Sequence, residues 1–451
     1  MQNKVLIANR GEIALRIIRA CKELGIKTVA VYSKADTDSL QVKFADESIC
    51  IGGDRSYESY LNINRILSAA ISTGCNAIHP GYGFLSENEK FAKIIEECNI
   101  HFIGPKSDVI ALLGNKSTAR KMAKQFHIPI IEGSEGIIQS VDEGQRIADK
   151  IGYPVLIKAM SGGGGKGMMI VKKSEDFAKA YHQTQMEAKA NFGDDSVYLE
   201  RFIESARHIE IQVIGDSFGN VVHLGERDCS MQRRNQKVIE ESPSPVMTPL
   251  LRRAMGQAAI RLAKGVGYTN AGTVEFVVDP EGKFYFIEMN TRIQVEHPVT
   301  ELQTGIDLVK EQIKVAYGNE LSFKQREVVF EGHTIECRIN AEDPTANFRP
   351  SPGKIKNIVF PGGNGVRLDT HIYGGYIVPP FYDSMLAKLI VHAPTRKEAI
   401  RKMRVALEQF IIDGIVTNID FLYVLMHNAE FVKGIYDTKF IQKVVEEEQN
   451  G

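Results

Sequence analysis

The chain has 451 residues, 43% of them hydrophobic and 25% charged, with a net charge of −1. That size and balance suit two or three globular domains and leave no electrostatic footprint for nucleic acid or a membrane surface. No apolar run approaches the ~20 residues of a membrane span, and the N-terminal apolar stretch is broken by Asn9, Arg10 and Glu12 and lacks a signal-peptide cleavage site. The cysteines (Cys21, Cys50, Cys75, Cys98, Cys229, Cys337) form no C-x-x-C pair, which argues against a zinc site and a disulfide framework and for a cytoplasmic enzyme or binding protein.

From the N-terminus, KVLIAN reads as a strand, GEIALRIIRACKELG as an amphipathic helix closing on Gly25, and KTVAVYS as a second strand. CNAIHP and HFIGP continue the rhythm around helical ENEKFAKIIEECN. Such alternation predicts a parallel sheet with right-handed crossovers, ending near residue 114. KSTARKMAKQFH (116–127) predicts a helix, then DEGQRIADKIG a helix and YPVLIKA a strand. MMIVKK, DDSVYLERFI and HIEIQVIGD are strand candidates, and PLLRRAMGQAAIRLAKGVG is a helix ending in glycine. GTVEFVVD and KFYFIEMN predict a hairpin across Pro280-Glu281-Gly282. From about 330 a smaller α+β region opens on GHTIECRIN and ends in helices; no fixed-period repeat or low-complexity tract occurs.

The stretch SGGGGKGM (161–168) imitates two motifs. Gly162, Gly164 and Gly167 satisfy G-x-G-x-x-G, but a dinucleotide fingerprint must follow a strand and open a helix, and here a strand is expected on both sides. Gly162 and Gly167 have P-loop spacing, yet Met168 stands where lysine belongs. A strand–glycine loop–strand unit is instead a flap whose bare amides suit phosphates, as in kinases. Lys158 would add a phosphate-facing charge, with Lys166 a weaker candidate. The plain alternative is a flexible surface hairpin.

The second informative stretch is EMNTRIQVEH (288–297). If extended, it presents Glu288, Asn290, Arg292, Gln294 and Glu296 on one face. The hairpin would bring Glu275 beside Glu288 as a diagonal pair within ~7–8 Å. Two carboxylates and an amide suit a hard cation that bridges phosphates, and Arg292 offers a fork for a carboxylate-like anion. A half-buried strand with a solvated face is the plain alternative.

The stretches ANRGEIALRIIRA, HPGYGFLSEN, GGGGKGM, RHIEIQV, GERDCSMQRR, EMNTRIQVEHPVTE, ECRINAEDP and YDSMLAKLI carry a resemblance to the biotin carboxylase family from residue 1 to about 446. It implies an α/β and α+β multidomain fold: an N-terminal Rossmann-like parallel domain (1–114), an ATP-grasp region (115–329) with a mobile lid (132–203), and a C-terminal α+β domain (330–446). For ATP it implies Lys116 and Lys158 on the phosphates, Gly164 and Gly165 in the lid loop, Glu200, Phe202 and Ile203 at adenine, His208 at the ribose, and Gln232 and Asn235 nearby. Glu275, Glu288 and Asn290 would bind magnesium or manganese, as two ions. Lys237, Arg292, Gln294 and Val295 would hold bicarbonate, Glu296 would be its base, Arg338 would stabilise the biotin enolate, and Tyr82 would line the biotin site. Arg292, Glu296 and Arg338 would form the catalytic set.

These residue types fit the chemistry that the resemblance implies. Bicarbonate is a weak nucleophile that needs alignment and a base, and the γ-phosphate needs metal and lysine to neutralise its charge. The carboxyphosphate product needs a lid that excludes water. Taken singly, Lys116, Lys158, His208, Arg338 and Tyr82 read as ordinary surface or packing residues, and Cys229 as structural; their joint match carries the assignment.

Two positions depart from the family pattern. Asn235 replaces a histidine near the nucleotide and cannot become cationic. Asn364 stands where some bacterial members have an apolar dimer contact. Without a biotin-bearing or carboxyltransferase segment, the chain is expected to act as a free subunit and homodimer with a biotin carboxyl carrier protein and carboxyltransferase subunits, in acetyl-CoA carboxylase and fatty-acid synthesis. The alternatives are another acyl-CoA carboxylase, a different bicarbonate-activating ATP-grasp ligase, or a non-catalytic nucleotide-binding scaffold.

Overall fold

The structure, a computed structural model, describes residues 3–160 and 167–450. The N-terminal part forms a five-stranded parallel sheet from β1 (Lys4–Ile7), β2 (Lys27–Ser33), β3 (Glu47–Gly52), β4 (Ala77–His79) and β5 (His101–Phe102), in the order β3-β2-β1-β4-β5. Parallel strands need crossovers; the helix Gly11–Glu23 supplies the first. Apolar residues of β1 and this helix pack in one core with Ile214, Val222, Ala271 and Ile293, so this sheet is welded to the centre of the molecule.

A second, three-stranded sheet is built from β6 (Val155–Ala159), β7 (Met168–Val171) and β8 (Val197–Arg201), in the order β7-β6-β8 and antiparallel throughout. Its helices bury a small core of their own, with Ile138, Ile157, Phe177, Tyr181 and Leu199. Strands therefore flank the glycine stretch on both sides. Gly164, Gly165 and Lys166, expected at the nucleotide phosphates, lie outside the described residues.

The third sheet has eight strands. Its first six are β9 (Arg207–Gly215), β10 (Val221–Arg233), β11 (Gln236–Ser242), β12 (Asn270–Val278), β13 (Phe284–Asn290) and β14 (His333–Asn340). With β15 (Val366–Thr370) and β16 (Met385–Ala393) the order is β13-β12-β9-β10-β11-β14-β16-β15. The sheet runs across residue 330: β11 pairs with β14, and Met231, Val238 and Ile239 share a core with the C-terminal helices. Strands β10 and β11 are long elements that the sequence pattern did not signal. Among the described residues no helix is long and apolar enough to cross a membrane.

Candidate active site

Hairpin β12–β13 sets the floor. Its turn closes with the Gly282 N–H donating to the Asp279 carbonyl at 3.0 Å, and Gly282 takes φ 80, a conformation glycine adopts freely. A bulge between Glu275 and Phe276 moves the register by one residue, so Glu275 stands directly opposite Glu288 rather than diagonal to it. The extended ladder expected over 288–297 is also corrected. Strand β13 stops at Asn290, Thr291–Arg292 bend, and Glu296 becomes the N-cap of the helix His297–Thr304, whose Pro298 suits a helix start. Only Glu288 and Asn290 are presented by alternation; Arg292, Gln294 and Glu296 are brought in by the bent chain and its tethers.

Those tethers are charged. The Thr291 N–H and the Arg292 Nε donate to Glu87 of the N-terminal region at 3.1 and 2.9 Å. Arg227 on β10 is fully buried, and its five N–H groups meet Glu210 (2.6 Å), Gln212 (2.7 Å), Thr300 (2.8 Å), Thr273 (3.2 Å) and the Gln294 Oε1 (2.8 Å). The Gln294 amide in turn donates to Glu275 at 2.8 Å. The Lys237 ammonium lies among three carboxylates, Glu210 (2.5 Å), Glu296 (2.6 Å) and Glu275 (3.1 Å). Arg338 joins Glu240 (2.6 Å) to Glu296 (2.8 Å). Sequence reasoning missed Arg227, Glu210, Glu240 and Glu87; the run GERDC, charged yet on a buried strand, was the available signal.

Charge state follows from these neighbours. Burial works against the Glu296 carboxylate, but Lys237, Arg338 and Arg227 outweigh it and hold its pKa well below the usual range. Glu275 is likewise held low, against burial, by Lys237 and His208. Glu288 moves the other way: burial and then the Glu275 charge push it up. His208 on β9 sits 3.1 Å from Glu275 without hydrogen-bond alignment; burial opposes its charge, and Glu275 outweighs burial and raises its pKa.

A cavity of about 440 Å³ brings together Lys116, Lys158, His208, Gln232, Asn235, Lys237, Glu275, Glu288, Asn290, Arg292, Gln294, Val295, Glu296 and Arg338, within the usual range for ligand sites. An adjoining cavity of about 150 Å³ is lined by Glu200, Phe202 and Ile203 and shares Lys116, Lys158, His208 and Glu288. A third, as large as the first, runs beside helix Lys116–Gln125 with Arg120, Lys121 and Glu132 and has no such convergence.

On the nucleotide side the lysines are already paired. Lys158 is ion-paired with Glu200, which also takes Arg120 at 2.9 Å. Lys116 opens its helix 3.8 Å from Glu288. The Phe202 N–H is used by the Pro154 carbonyl at 2.9 Å. The Gln232 amide donates to the Cys229 carbonyl at 2.8 Å, and burial pushes the Cys229 thiol up, the mark of an inert cysteine. Asn235 and Arg234 form the two-residue turn of β10–β11 with φ of 63 and 48, a geometry that favours asparagine. Tyr82 lines neither of the two joined cavities; its hydroxyl donates to Glu12. Asn364 is exposed, and its carbonyl accepts from Lys402 at 2.9 Å.

The chain is similar to known proteins along its length. The family model for the biotin carboxylase N-terminal domain matches residues 1–110, that for the carbamoyl-phosphate synthase L chain ATP binding domain matches 115–324, and that for the biotin carboxylase C-terminal domain matches 336–443. Biotin carboxylase 1 of Bacillus subtilis (strain 168) is 57% identical, over 98% of each chain. The biotin carboxylase domain dimer of Hydrogenobacter thermophilus 2-oxoglutarate carboxylase, solved with MgADP, ADP and bicarbonate, is 50% identical with a TM-score of 0.95 over 98% of each chain. A biotin carboxylase–β-γ-ATP complex from Campylobacter jejuni is also 50% identical with a TM-score of 0.95, over 98% of this chain and 99% of that one.

Proposed function

The chain belongs to the biotin carboxylase family and is an ATP-grasp ligase, and from that premise we propose that it carboxylates biotin on a separate carrier protein, using ATP and bicarbonate through carboxyphosphate. The observation that carries this reading is Glu296, an ionised carboxylate held between Lys237 and Arg338 in the same cavity as Lys116, Lys158 and Glu288.

Lys116 and Lys158 take the ATP phosphates, and His208 takes the ribose. The Glu200–Ile203 segment takes adenine through groups other than the Phe202 N–H. Gln232 and Asn235 complete the nucleotide side, and Gly164 and Gly165 cover it. Glu275, Glu288 and Asn290 would hold magnesium or manganese, as two ions. The donor set fits: two opposed carboxylates, one of them pushed up by burial and then by the other's charge, are relieved by a hard dication. When bound, the metal neutralises charge on the transferring phosphoryl group.

Arg292, Gln294, the Val295 amide and Lys237 align bicarbonate. Lys237 and Arg338, with Arg227 behind them, keep Glu296 acidic. Once Lys237 and Arg338 turn toward anionic substrate, Glu296 loses partners and becomes a stronger base, able to take the bicarbonate proton. The bicarbonate oxygen then attacks the γ-phosphorus and ADP leaves. Closure of the lid (132–203) keeps water from the carboxyphosphate. Its breakdown yields carbon dioxide and phosphate; the phosphate removes the ureido N–H proton, and the nitrogen attacks carbon dioxide. Arg338 stabilises the charge on the ureido oxygen; Tyr82, outside the two joined cavities, would line a biotin site that reaches beyond them.

The setting we propose is acetyl-CoA carboxylase and fatty-acid synthesis in the cytoplasm, with a biotin carboxyl carrier protein, carboxyltransferase subunits and a homodimer of this chain. The domains are 1–114, 115–329 and 330–446. The likeness to a 2-oxoglutarate carboxylase domain favours a second setting, in which a 2-oxo acid receives the carboxyl group. The deciding assay is ATP hydrolysis with bicarbonate, which should rise on adding free biotin. Stimulation by ammonia or glutamine instead would indicate a carbamoyl-phosphate-type ligase, and ATP binding without turnover a scaffold.

A further inference from the structure

Strand β16 carries a lysine, Lys388, with no exposed side-chain surface. An ammonium so far from water is stable only where it is paired. Lys388 donates to the Val295 carbonyl at 2.9 Å and lies 3.1 Å from Glu12, with Asp369 farther off at 3.9 Å. Neutralisation alone leaves the shortest of these contacts unexplained. Asp369 is already gripped by Arg367 at 2.7 and 3.0 Å, and Glu12 accepts from Tyr82.

The carbonyl it meets is the one that needs a partner. Residues 291–296 belong to no strand or helix, so their backbone groups must be satisfied from elsewhere. The neutral, buried His297 donates its Nδ1–H to the Gln294 carbonyl at 2.8 Å. Lys388 does the same for Val295, one peptide from Glu296. Its register partner across the sheet is Arg338, so β14 and β16 send two cations from adjacent positions to the same loop.

We propose that Lys388 is a positioning residue for the Gln294–Glu296 loop, fixing the Val295 peptide and with it the Glu296 carboxylate, while Glu12 ties the ammonium to Tyr82. This rests on the reading that the loop holds bicarbonate. It adds a control of that loop from the opposite end of the chain.

The test is Lys388→Met in the full chain, close in shape and without charge. The KM for bicarbonate in biotin-dependent ATP hydrolysis should rise about tenfold or more, with the KM for ATP within about twofold. Backbone hydrogen exchange in peptides spanning 293–297 should speed up, while the β9 and β12 peptides keep their protection. If Lys388→Met does not fold, Glu12→Gln carries the same two measurements, with a smaller rise in the bicarbonate KM expected. A folded variant with unchanged bicarbonate KM and unchanged exchange at 293–297 overturns the proposal. Should the wild type show no bicarbonate-dependent turnover, the functional reading fails, and hydrogen exchange alone still decides the positioning role.

Discussion

The hairpin unit that carries the glycine stretch and the floor that faces it are built on opposite plans. The β6–β8 unit has a small apolar core of its own, and its main charged contact is a single triad, Lys158–Glu200–Arg120. The floor on β9–β14 is a polar interior, where Arg227 uses all its donors and Lys237 has three acidic partners. A body with its own core can shift without unpacking its neighbour. A floor of interlocked buried charges cannot, and that rigidity aims its dipoles before substrate arrives. One region is suited to closing and the other to staying fixed.

The contrast breaks most visibly at Lys237. Lys237→Met removes the one ammonium shared by three buried carboxylates, leaving Glu210 to Arg227, Glu296 to Arg338 and Glu275 to His208, and should cost about 3–5 kcal/mol, read from urea unfolding. Next comes Arg338→Ala, which should cut biotin carboxylation by about 10²–10³ while sparing much of the bicarbonate-dependent ATP hydrolysis; equal loss of both activities would refute its role at biotin. In the hairpin unit, Lys158→Met leaves Glu200 still paired with Arg120, so the loss should be only about 1.5–3 kcal/mol, with the KM for ATP raised. A Lys158 effect as large as that of Lys237 would erase the distinction between the two regions.

A subtler test compares neighbouring carboxyls on β11. Glu240 is pushed up to about 7, by burial first and, against the pull of Arg338, by Glu296. Glu241, on the other face, is held at about 2 because His333 and Arg396 outweigh its burial. A raised carboxyl stabilises the fold fully below its unfolded pKa, about 4.5, and that stabilisation is lost as pH rises through about 7. The Glu241 contribution is present above about 4.5 and lost as pH falls toward 2. Glu240→Gln should therefore flatten the decline of stability between about pH 5 and pH 7, measured by denaturant unfolding. The smallest effect is expected at the turn. Asn235→Ala should cost about 1 kcal/mol because of its positive φ, whereas Asn235→Gly should cost none and isolate the side chain's share of the ATP KM.

Much of this was legible in the residues. The glycine stretch is excluded from the dinucleotide motif by the strands expected on each side, where β6 and β7 stand, and from the P-loop by Met168. The β12–β13 hairpin and its two glutamates were readable from alternation and the turn. The Asn235 substitution looked like a loss near the nucleotide; its backbone supplies a reason for asparagine at that position. Less legible were the bulge at Glu275 and the end of β13 at Asn290, since each depends on what the neighbouring strand and the Glu87 tether impose.

The order of residues along the chain set the chemical groups and their local presentation: which strands alternate, where turns fall, and which family the motifs resemble. Which charges meet depends on the fold as a whole. Lys237 reaches Glu210, Glu275 and Glu296 from 27, 38 and 59 residues away, and Lys388 reaches Val295 across 93. Periodicity is a property of neighbours along the chain, whereas a buried ion pair is a property of neighbours in space, set by sheet order and register.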